Sequence, residues 1–345
     1  CVRSSWHLYP IKLKDKYTTY VWAWDFSPHT GEGKLARLFF NFYKKKFKKE
    51  KLIIETPNGY YPNGKLYETI KNNKKKINYN LSYRYLSPFV GLFKIYVNNF
   101  FYKKKTIYLN FLPIWNSLFF IFFPQKTIIG PITGSDLYSK NTLRSYIRFF
   151  IMPVFIFISK MIIKFKYSKI YFSTNLINYK NNNAQNLFQI QYLKSLVKRK
   201  KIKKDIDFIF YFRKHNNKHL MEEIYFINQL ISLNYKVKIC GDCPNGNKKN
   251  YVGFLSNSKL SKMLDRCKFV LSSYENPFSF FVLDAINSNV NIFFHIQHQK
   301  YIKDVFTDYN LINLKKKSNY KNLLNKFNKS KPTKLKKISK NFFVF

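Results

Sequence analysis

The sequence of 345 residues is poor in acidic residues and in cysteine, and each shortage limits the classes of protein to which the chain can belong. Only 17 Asp and Glu oppose 62 Lys and Arg, which gives a formal net charge of +45. Four cysteines are too few for a disulfide scaffold and fit a reducing cytosol. The best membrane candidate, residues 144–166, contains an uninterrupted apolar run of only 149–159, which is too short to span a bilayer.

The strong positive charge by itself favours nucleic acid or an anionic membrane surface as partner. Coding bias is a competing explanation, because the commonest residues (Lys, Asn, Ile, Phe and Tyr) have A/T-rich codons while glycine, at 10 residues, is scarce. The sequence contains neither an RRM signature nor a zinc knuckle, and its aromatic residues fall inside strand and helix patterns. We therefore expect no nucleic acid partner, although a basic nucleic-acid-binding protein stays open as an alternative.

Cys240 and Cys243 form a CxxC pair, the spacing of a redox motif or of half a zinc site. No second CxxC or HxxxH accompanies it, so we interpret the pair as incidental and predict no metal site.

Short apolar runs alternate with helical patterns along the chain, which predicts an α/β fold with largely parallel sheets. The charge-dense stretch 196–204 interrupts this rhythm and marks a boundary between two α/β domains, 1–198 and 199–300. Residues 301–345 are expected to form a basic helical segment that packs back on the first domain. Strands are predicted at 18–24, 51–54, 106–111, 126–129, 168–172, 207–212, 236–240, 251–254, 269–271 and 290–294.

The first predicted strand leads into a turn with His29, Gly31 and Gly33, and a helix follows. This layout can direct backbone N–H groups at a phosphate, although glycines also simply permit tight turns. A second glycine turn is predicted from Gly130 to Ser135, at the end of another strand. His29, Thr133 and Ser135, which lie in these two turns, are candidate residues for the acceptor side of a binding site.

Arg213 and Lys218 follow the first strand of the second half. A fork-shaped guanidinium and a compact ammonium at the carboxyl edge of a sheet can together neutralise a diphosphate.

Residues 269–286 read as a strand, a polar turn and a helix predicted to start at Pro277. Glu275 lies at the corner, and Asp284 two turns along the helix. Ionised carboxylates accept hydrogen bonds and so suit the hydroxyls of a ribose or sugar. A helix cap with a surface acid is the alternative interpretation.

These motifs together resemble the nucleotide-sugar domain of retaining glycosyltransferases with the GT-B fold, the large "group 1" family. Arg213 and Lys218 keep the spacing of that family's Arg and Lys, and its strand ending in Gly-Asp is similar to KVKICGD, which ends in Gly241 and Asp242. TGEGKLAR and IIGPITGS resemble glycine turns of its N-terminal domain. The resemblance implies two Rossmann-like domains with parallel sheets facing a central cleft.

The corner also departs from the family pattern. The family has seven residues between two glutamates, whereas eight separate Glu275 from Asp284, and Asn276 holds the strict position of the first glutamate. Phe278 and Ser279 stand where Phe-Gly is usual. A catalytically weakened, sugar-binding relative is therefore an open alternative, as is an epimerase of the same fold.

The resemblance implies transfer of a sugar from a nucleoside-diphosphate sugar, with retention of configuration and without a cofactor. Arg213, Lys218 and Glu275 would be catalytic. The acceptor is expected to be a lipid-linked or envelope glycan, and the location cytoplasmic, peripheral at the inner face of the membrane. The donor would be bound by Gly31, Gly33, Gly241, Asp242, Asn276, Phe278, Ser279 and Asp284.

Overall fold

The computed structural model describes residues 18–27, 30–46, 51–56, 59–62, 81–113, 116–133, 143–166, 170–172, 184–185, 202–214, 220–244, 246, 248–314 and 331–336. By their internal contacts the residues divide into two compact units.

The first sheet has seven strands in the order β3-β2-β1-β4-β5-β6-β7. Strand β1 pairs in parallel with both β2 and β4, whereas β2 and β3 form an antiparallel pair. The strands are β1 (Thr18–Ala23), β2 (Lys51–Thr56), β3 (Gly59–Pro62), β4 (Lys105–Pro113), β5 (Ile128–Thr133), β6 (Ile170–Phe172) and β7 (Ala184–Gln185).

Four helices accompany this sheet in the described residues: α1 (Gly31–Lys46), α2 (Leu81–Phe100), α3 (Ser117–Phe122) and α4 (Leu143–Lys166). Helix α1 buries Leu35, Phe39 and Tyr43, which recur at helical spacing. Helix α2 packs closely on the sheet at Gly91, where a Cβ atom would overlap the indole ring of Trp22. None of the described helices is both long enough and apolar enough to cross a membrane.

The second sheet has six strands in the order β10-β9-β8-β11-β12-β14, and every neighbouring pair is parallel. If these six strands are numbered 1 to 6 along the chain, their order across the sheet is 3-2-1-4-5-6, which is the order of a doubly wound Rossmann sheet. The strands are β8 (Ile206–Phe212), β9 (Val237–Gly241), β10 (Tyr251–Gly253), β11 (Cys267–Leu271), β12 (Asn291–His295) and β14 (Asn310–Ile312). The predicted α/β class with parallel sheets is confirmed.

Helices cover both faces of the second sheet, as an all-parallel sheet requires. These are α5 (Leu220–Ser232), α6 (Asn257–Asp265) and α7 (Phe280–Asn287). On one face Phe208 is fully buried among aromatic rings, with the centroid of Phe269 at 5.2 Å and that of Phe226 at 6.2 Å. On the other face Ile209 packs in a cluster with Leu264 of α6 and Val282 of α7.

The prediction of a helical segment from residue 301 is wrong for the described part. A short helix α8 (Gln299–Ile302) is followed by β13 (Phe306–Thr307) and by β14, which extends the second sheet beside β12. Strand β15 (Lys334–Leu335) then pairs with β13. The chain forms strands here because the edge of β12 offers unpaired backbone groups, and Leu311 and Phe306 bury against the sheet. The predicted domain boundaries stay predictions.

Two predicted element boundaries are also corrected. Helix α7 begins at Phe280 and not at Pro277, because Ser279 adopts an extended conformation and caps the helix. The turn predicted from Gly130 does not begin there. Strand β5 continues through Thr133, since Ile132 is buried in the sheet like Ile128.

We expect Phe208→Ala to lower the free energy of unfolding by about 3–5 kcal/mol, because it removes the ring that the surrounding aromatics pack against. Phe254→Ala is the matched control, since Phe254 is 71% exposed and the same truncation should cost less than about 0.5 kcal/mol. Denaturant unfolding of both variants measures the difference, and equal losses would contradict this account of the core.

Candidate functional site

Because all six strands of the second sheet are parallel, the loops that leave their carboxyl ends lie at the same edge. The chain reverses its direction of progress across the sheet between β8 and β11, which are neighbours. Ligands of open α/β sheets bind outside such a topological switch point. The loops on either side of it carry Arg213 and the corner residues 272–279.

Arg213 leaves β8 beside a turn that is held by backbone contacts. The Asp242 N–H donates to the Phe212 carbonyl at 2.8 Å, and the Asp242 carboxylate accepts from the Lys214 N–H at 2.7 Å. Gly241 has φ +96°, and a Cβ atom there would overlap the Phe212 carbonyl oxygen. Gly241 and Asp242, predicted to bind the donor, therefore also fix the path of the chain into Arg213.

The corner after β11 is also ordered by its own side chains. The Asn276 side-chain oxygen accepts from the Phe278 N–H at 2.8 Å, which closes an Asx turn before the helix. The Ser279 hydroxyl accepts from the Val282 N–H at 3.4 Å and caps α7. The Phe278 ring lies in the core, 5.7 Å from the ring of Phe306, so only its backbone could contact a ligand.

The two carboxylates of the corner differ in exposure. Glu275 is half-buried in the turn, whereas Asp284 is buried in the second turn of α7. Arg213 is exposed. Among the residues that the structure describes, neither the Arg213 guanidinium nor the Glu275 carboxylate has a hydrogen-bond or ion-pair partner. Both side chains are therefore able to meet a ligand at the switch point.

A group that the sequence analysis missed holds the corner from behind. The Nε2 atoms of His298 and His295 lie 2.9 Å and 3.2 Å from the carbonyl oxygens of Tyr274 and Ser272, and the Gln297 amide donates to Tyr274 at 3.1 Å. We call His295, Gln297 and His298 the corner clamp. Its signal was the polar run HIQH directly after the strand 290–294, at the same sheet edge.

The chemistry of the clamp fixes the tautomer of His298. A carbonyl oxygen only accepts, so Nε2 carries the proton, and the buried Nδ1 has no partner among the described residues. Burial lowers the pKa of His298 to about 4. His298 is therefore a neutral donor near pH 7, and its protonation would place an uncompensated charge behind Glu275.

A small pocket of about 150 Å³ adjoins the clamp at this edge. Tyr274, His295 and Gln297 line it together with Glu222 of α5 and the residues that follow β14. Two of the three clamp residues thus hold the corner and also face open space at this edge.

The thiols of the two CxxC cysteines form hydrogen bonds with nearby backbone carbonyl groups. The Cys240 thiol is buried and donates to the Phe210 carbonyl at 3.2 Å, and burial raises its pKa to about 12. A protonated thiol inside a core is not a metal ligand. Cys243 is half-buried and donates to the Pro244 carbonyl at 3.4 Å.

At the first sheet, the loop after β1 is a capped helix start. The Thr30 hydroxyl accepts from the Gly33 N–H at 3.0 Å and donates to the Asp25 carboxylate at 2.5 Å. A Cβ atom on Gly33 would overlap the backbone of Ser27, which explains this glycine by close packing, whereas Gly31 faces open space. A role of Gly31 and Gly33 in binding a donor stays a prediction.

Lys218, His29 and Ser135 lie outside the described residues, as does the side chain of Thr133. A polar group that the sequence analysis did not single out joins β1 and β2. The Glu55 carboxylate accepts from the Tyr20 hydroxyl at 2.7 Å and pairs with Lys94 of α2. Burial lowers the pKa of Lys94.

Two largely parallel sheets, one of them with the 3-2-1-4-5-6 order and charged groups at its switch point, define an α/β protein of Rossmann-like architecture. No protein-family model matches the sequence, and no curated protein is significantly similar to it.

Among solved structures, WaaG, a glycosyltransferase involved in lipopolysaccharide biosynthesis, has a TM-score of 0.50 at 11% identity over 86% of each chain. A glycosyltransferase from Rickettsia africae ESF-5 has a TM-score of 0.49 at 11% identity over 91% of this chain and 88% of its own. A UDP-GlcNAc 2-epimerase from Neisseria meningitidis has a TM-score of 0.46 at 10% identity over 90% of both. The latter two scores are too low to carry an argument. The likeness to WaaG shows the fold, and the chain has the GT-B fold.

We expect Gly241→Ala to destabilise the protein more than Gly253→Ala. Both glycines have positive φ, +96° and +79°, which costs an alanine roughly 1–2 kcal/mol. Only at Gly241 would the new Cβ also overlap a backbone carbonyl oxygen, whereas at Gly253 it meets nothing within 4 Å. Denaturant unfolding of the pair isolates the close approach, and equal losses would contradict it.

We expect the stability of the wild type to fall as the pH drops from 6.5 to about 4, in part because the unfolded state protonates His298 first. Stability from this histidine is complete above its unfolded pKa of 6.5, and by pH 4 about 3 kcal/mol is lost. His298→Gln should remove that contribution to the slope. Gln297→Ala is the control: it removes a donor to the same carbonyl and should lower stability equally at each pH. Unchanged slopes in His298→Gln would overturn this assignment.

Proposed function

We propose that this protein is a glycosyltransferase that moves a sugar from a nucleoside-diphosphate sugar to an acceptor with retention of configuration. The observation that carries the proposal is the placement of Arg213 and Glu275 on the two loops that flank the switch point of the second sheet. A basic group and an acidic group there match a donor with an anionic diphosphate and a hydroxyl-rich sugar.

Arg213 would stabilise the diphosphate as it leaves. In the transfer, the bond between the anomeric carbon and the phosphate oxygen breaks, and the diphosphate departs with the electron pair. The acceptor hydroxyl oxygen forms the new bond to the anomeric carbon on the same face, and its proton goes to the departing diphosphate. A guanidinium donates several hydrogen bonds in one plane and cannot lose its proton, so it suits growing charge on phosphate oxygens. Lys218 is proposed as a second cation by the same motif.

Glu275 would accept hydrogen bonds from hydroxyls of the donor sugar. The corner clamp supports this role, because the buried His298 and the half-buried Gln297 both hold the backbone carbonyl immediately before Glu275. A positioned carboxylate binds without first losing conformational entropy. Asp284 is proposed to contact the ribose. No cofactor is required in this scheme.

The structure of the corner also favours a second candidate, a sugar-nucleotide-binding protein with weakened turnover. Asn276 holds the strict position of the first glutamate, and its side-chain oxygen already accepts the hydrogen bond that closes the Asx turn. The Ser279 hydroxyl likewise already accepts the hydrogen bond that caps the helix. Asp284 is largely buried. The acceptor, proposed as a lipid-linked or envelope glycan, and the cytoplasmic location stay predictions.

We expect one of UDP, GDP and ADP to stabilise the wild-type protein against thermal unfolding, by roughly 2.7 kcal/mol at one hundred times its dissociation constant. Arg213→Ala should bind that nucleotide at least about tenfold more weakly, since it loses charge-assisted hydrogen bonds. Lys236→Ala is the matched control, because it removes one positive charge just before β9, at the opposite edge of the same sheet, and should bind like the wild type.

The proposal would be wrong if none of the three diphosphates stabilises the well-folded protein against thermal unfolding. An equal loss in Arg213→Ala and Lys236→Ala would reduce the effect of Arg213 to general attraction by a positively charged chain. Binding without release of the diphosphate from the matching nucleotide sugar, in the presence of candidate acceptors, would favour the binding protein.

A further inference from the structure

Helix α2 presents an apolar stripe to solvent although its other side is already packed. The stripe consists of exposed Leu86, Phe89, Phe93, Tyr96 and Phe100, spaced alternately by three and four residues along one face. The core side of the same helix holds the buried Ile95 and the close contact of Gly91 with Trp22. Packing of the helix on the core therefore does not account for the apolar side chains of the stripe.

The exposed apolar surface continues over neighbouring helices. The Phe89 ring contacts the Phe119 ring of α3, with centroids 5.1 Å apart, and α3 exposes Leu118, Ile121 and Phe122. The Lys166 ammonium at the end of α4 donates to the Ile121 carbonyl, and the same end exposes Phe165. Monomeric proteins seldom leave so much contiguous apolar surface in water unless a partner covers it.

Cations accompany this surface, and acids are missing from it. The ammonium groups of the exposed Lys103 and Lys164 lie 5.0 Å and 5.6 Å from the ring centroids of Phe100 and Phe165. Asp136 is the single acidic residue between Glu68 and Asp205 in the sequence. The partner that matches such a surface is apolar and negatively charged.

We propose that the stripe of α2, together with the exposed side chains of α3 and the end of α4, docks on the surface of an anionic lipid bilayer. Aromatic and aliphatic side chains would enter the acyl boundary, while the lysines reach anionic headgroups with their flexible stems. A second copy of the chain would instead bring two lysine-rich surfaces together, which like-charge repulsion opposes. The proposed contact is interfacial, with the helices lying along the surface of the bilayer.

Flotation of the full chain with vesicles tests the proposal. The wild type should bind vesicles of phosphatidylcholine mixed with phosphatidylglycerol, bind phosphatidylcholine alone more weakly, and lose binding as salt is raised. Phe93→Ser combined with Phe100→Ser should weaken partitioning by about ten- to a hundredfold, because two rings no longer leave water.

The matched control is Met221→Ser combined with Phe254→Ser, which removes two equally exposed apolar side chains from the second compact unit. It should bind vesicles like the wild type. Arg213→Ala should also bind normally, so a failure of the donor-site proposal is distinguishable from a failure of this one.

Three results would overturn the proposal. The first is a folded wild type that does not float with anionic vesicles. The second is an equal loss of binding in the stripe variant and its control. The third is a wild type that sediments as a dimer without lipid and that the stripe variant converts to a monomer, since a second copy would then cover the surface.

Discussion

The parallel pairing of the second sheet is the constraint on which the rest of this unit depends. Parallel strands need crossovers, and the crossovers place helices on both faces, so β8 must bury side chains in both directions. The same pairing sends every strand toward one edge. Residues that are distant in sequence, such as Arg213 and Glu275, lie at this same edge because they follow neighbouring strands.

At that edge, polar side chains divide into those that order the backbone and those that face outward. Asp242, Asn276 and Ser279 accept hydrogen bonds from backbone N–H groups of their own loops. The corner clamp adds donors from the next strand, and His298 stays neutral because its Nδ1 is buried without a partner among the described residues. Side chains that the sequence predicts to bind a ligand are thus in part used to stabilise the turns.

Basic residues have different roles in different parts of the chain. Lys268 and Arg266 pair with Asp207 and Asp205 at the amino edge of the second sheet, where they stabilise strand ends. Around α2 and α3 there are lysines beside exposed aromatic rings and no acids in the helices themselves. Coding bias is a competing explanation for the abundance of lysine, but the pairing of lysines with an apolar stripe is a property of the folded surface.

The sequence by itself determined the alternation of strands and helices, the α/β class and the positions of Arg213 and Glu275 at strand ends, because these depend on local periodicity and turn chemistry. It misplaced the start of α7 and the strands after residue 301, since Ser279 as a cap and an open strand edge beside β12 compete with local propensity. Only the tertiary structure decided that Phe278 is core, that His298 is a buried neutral donor and that the α2 stripe faces water. Each of these depends on neighbours that are far away in the chain, and burial by such neighbours cannot be deduced from local pattern.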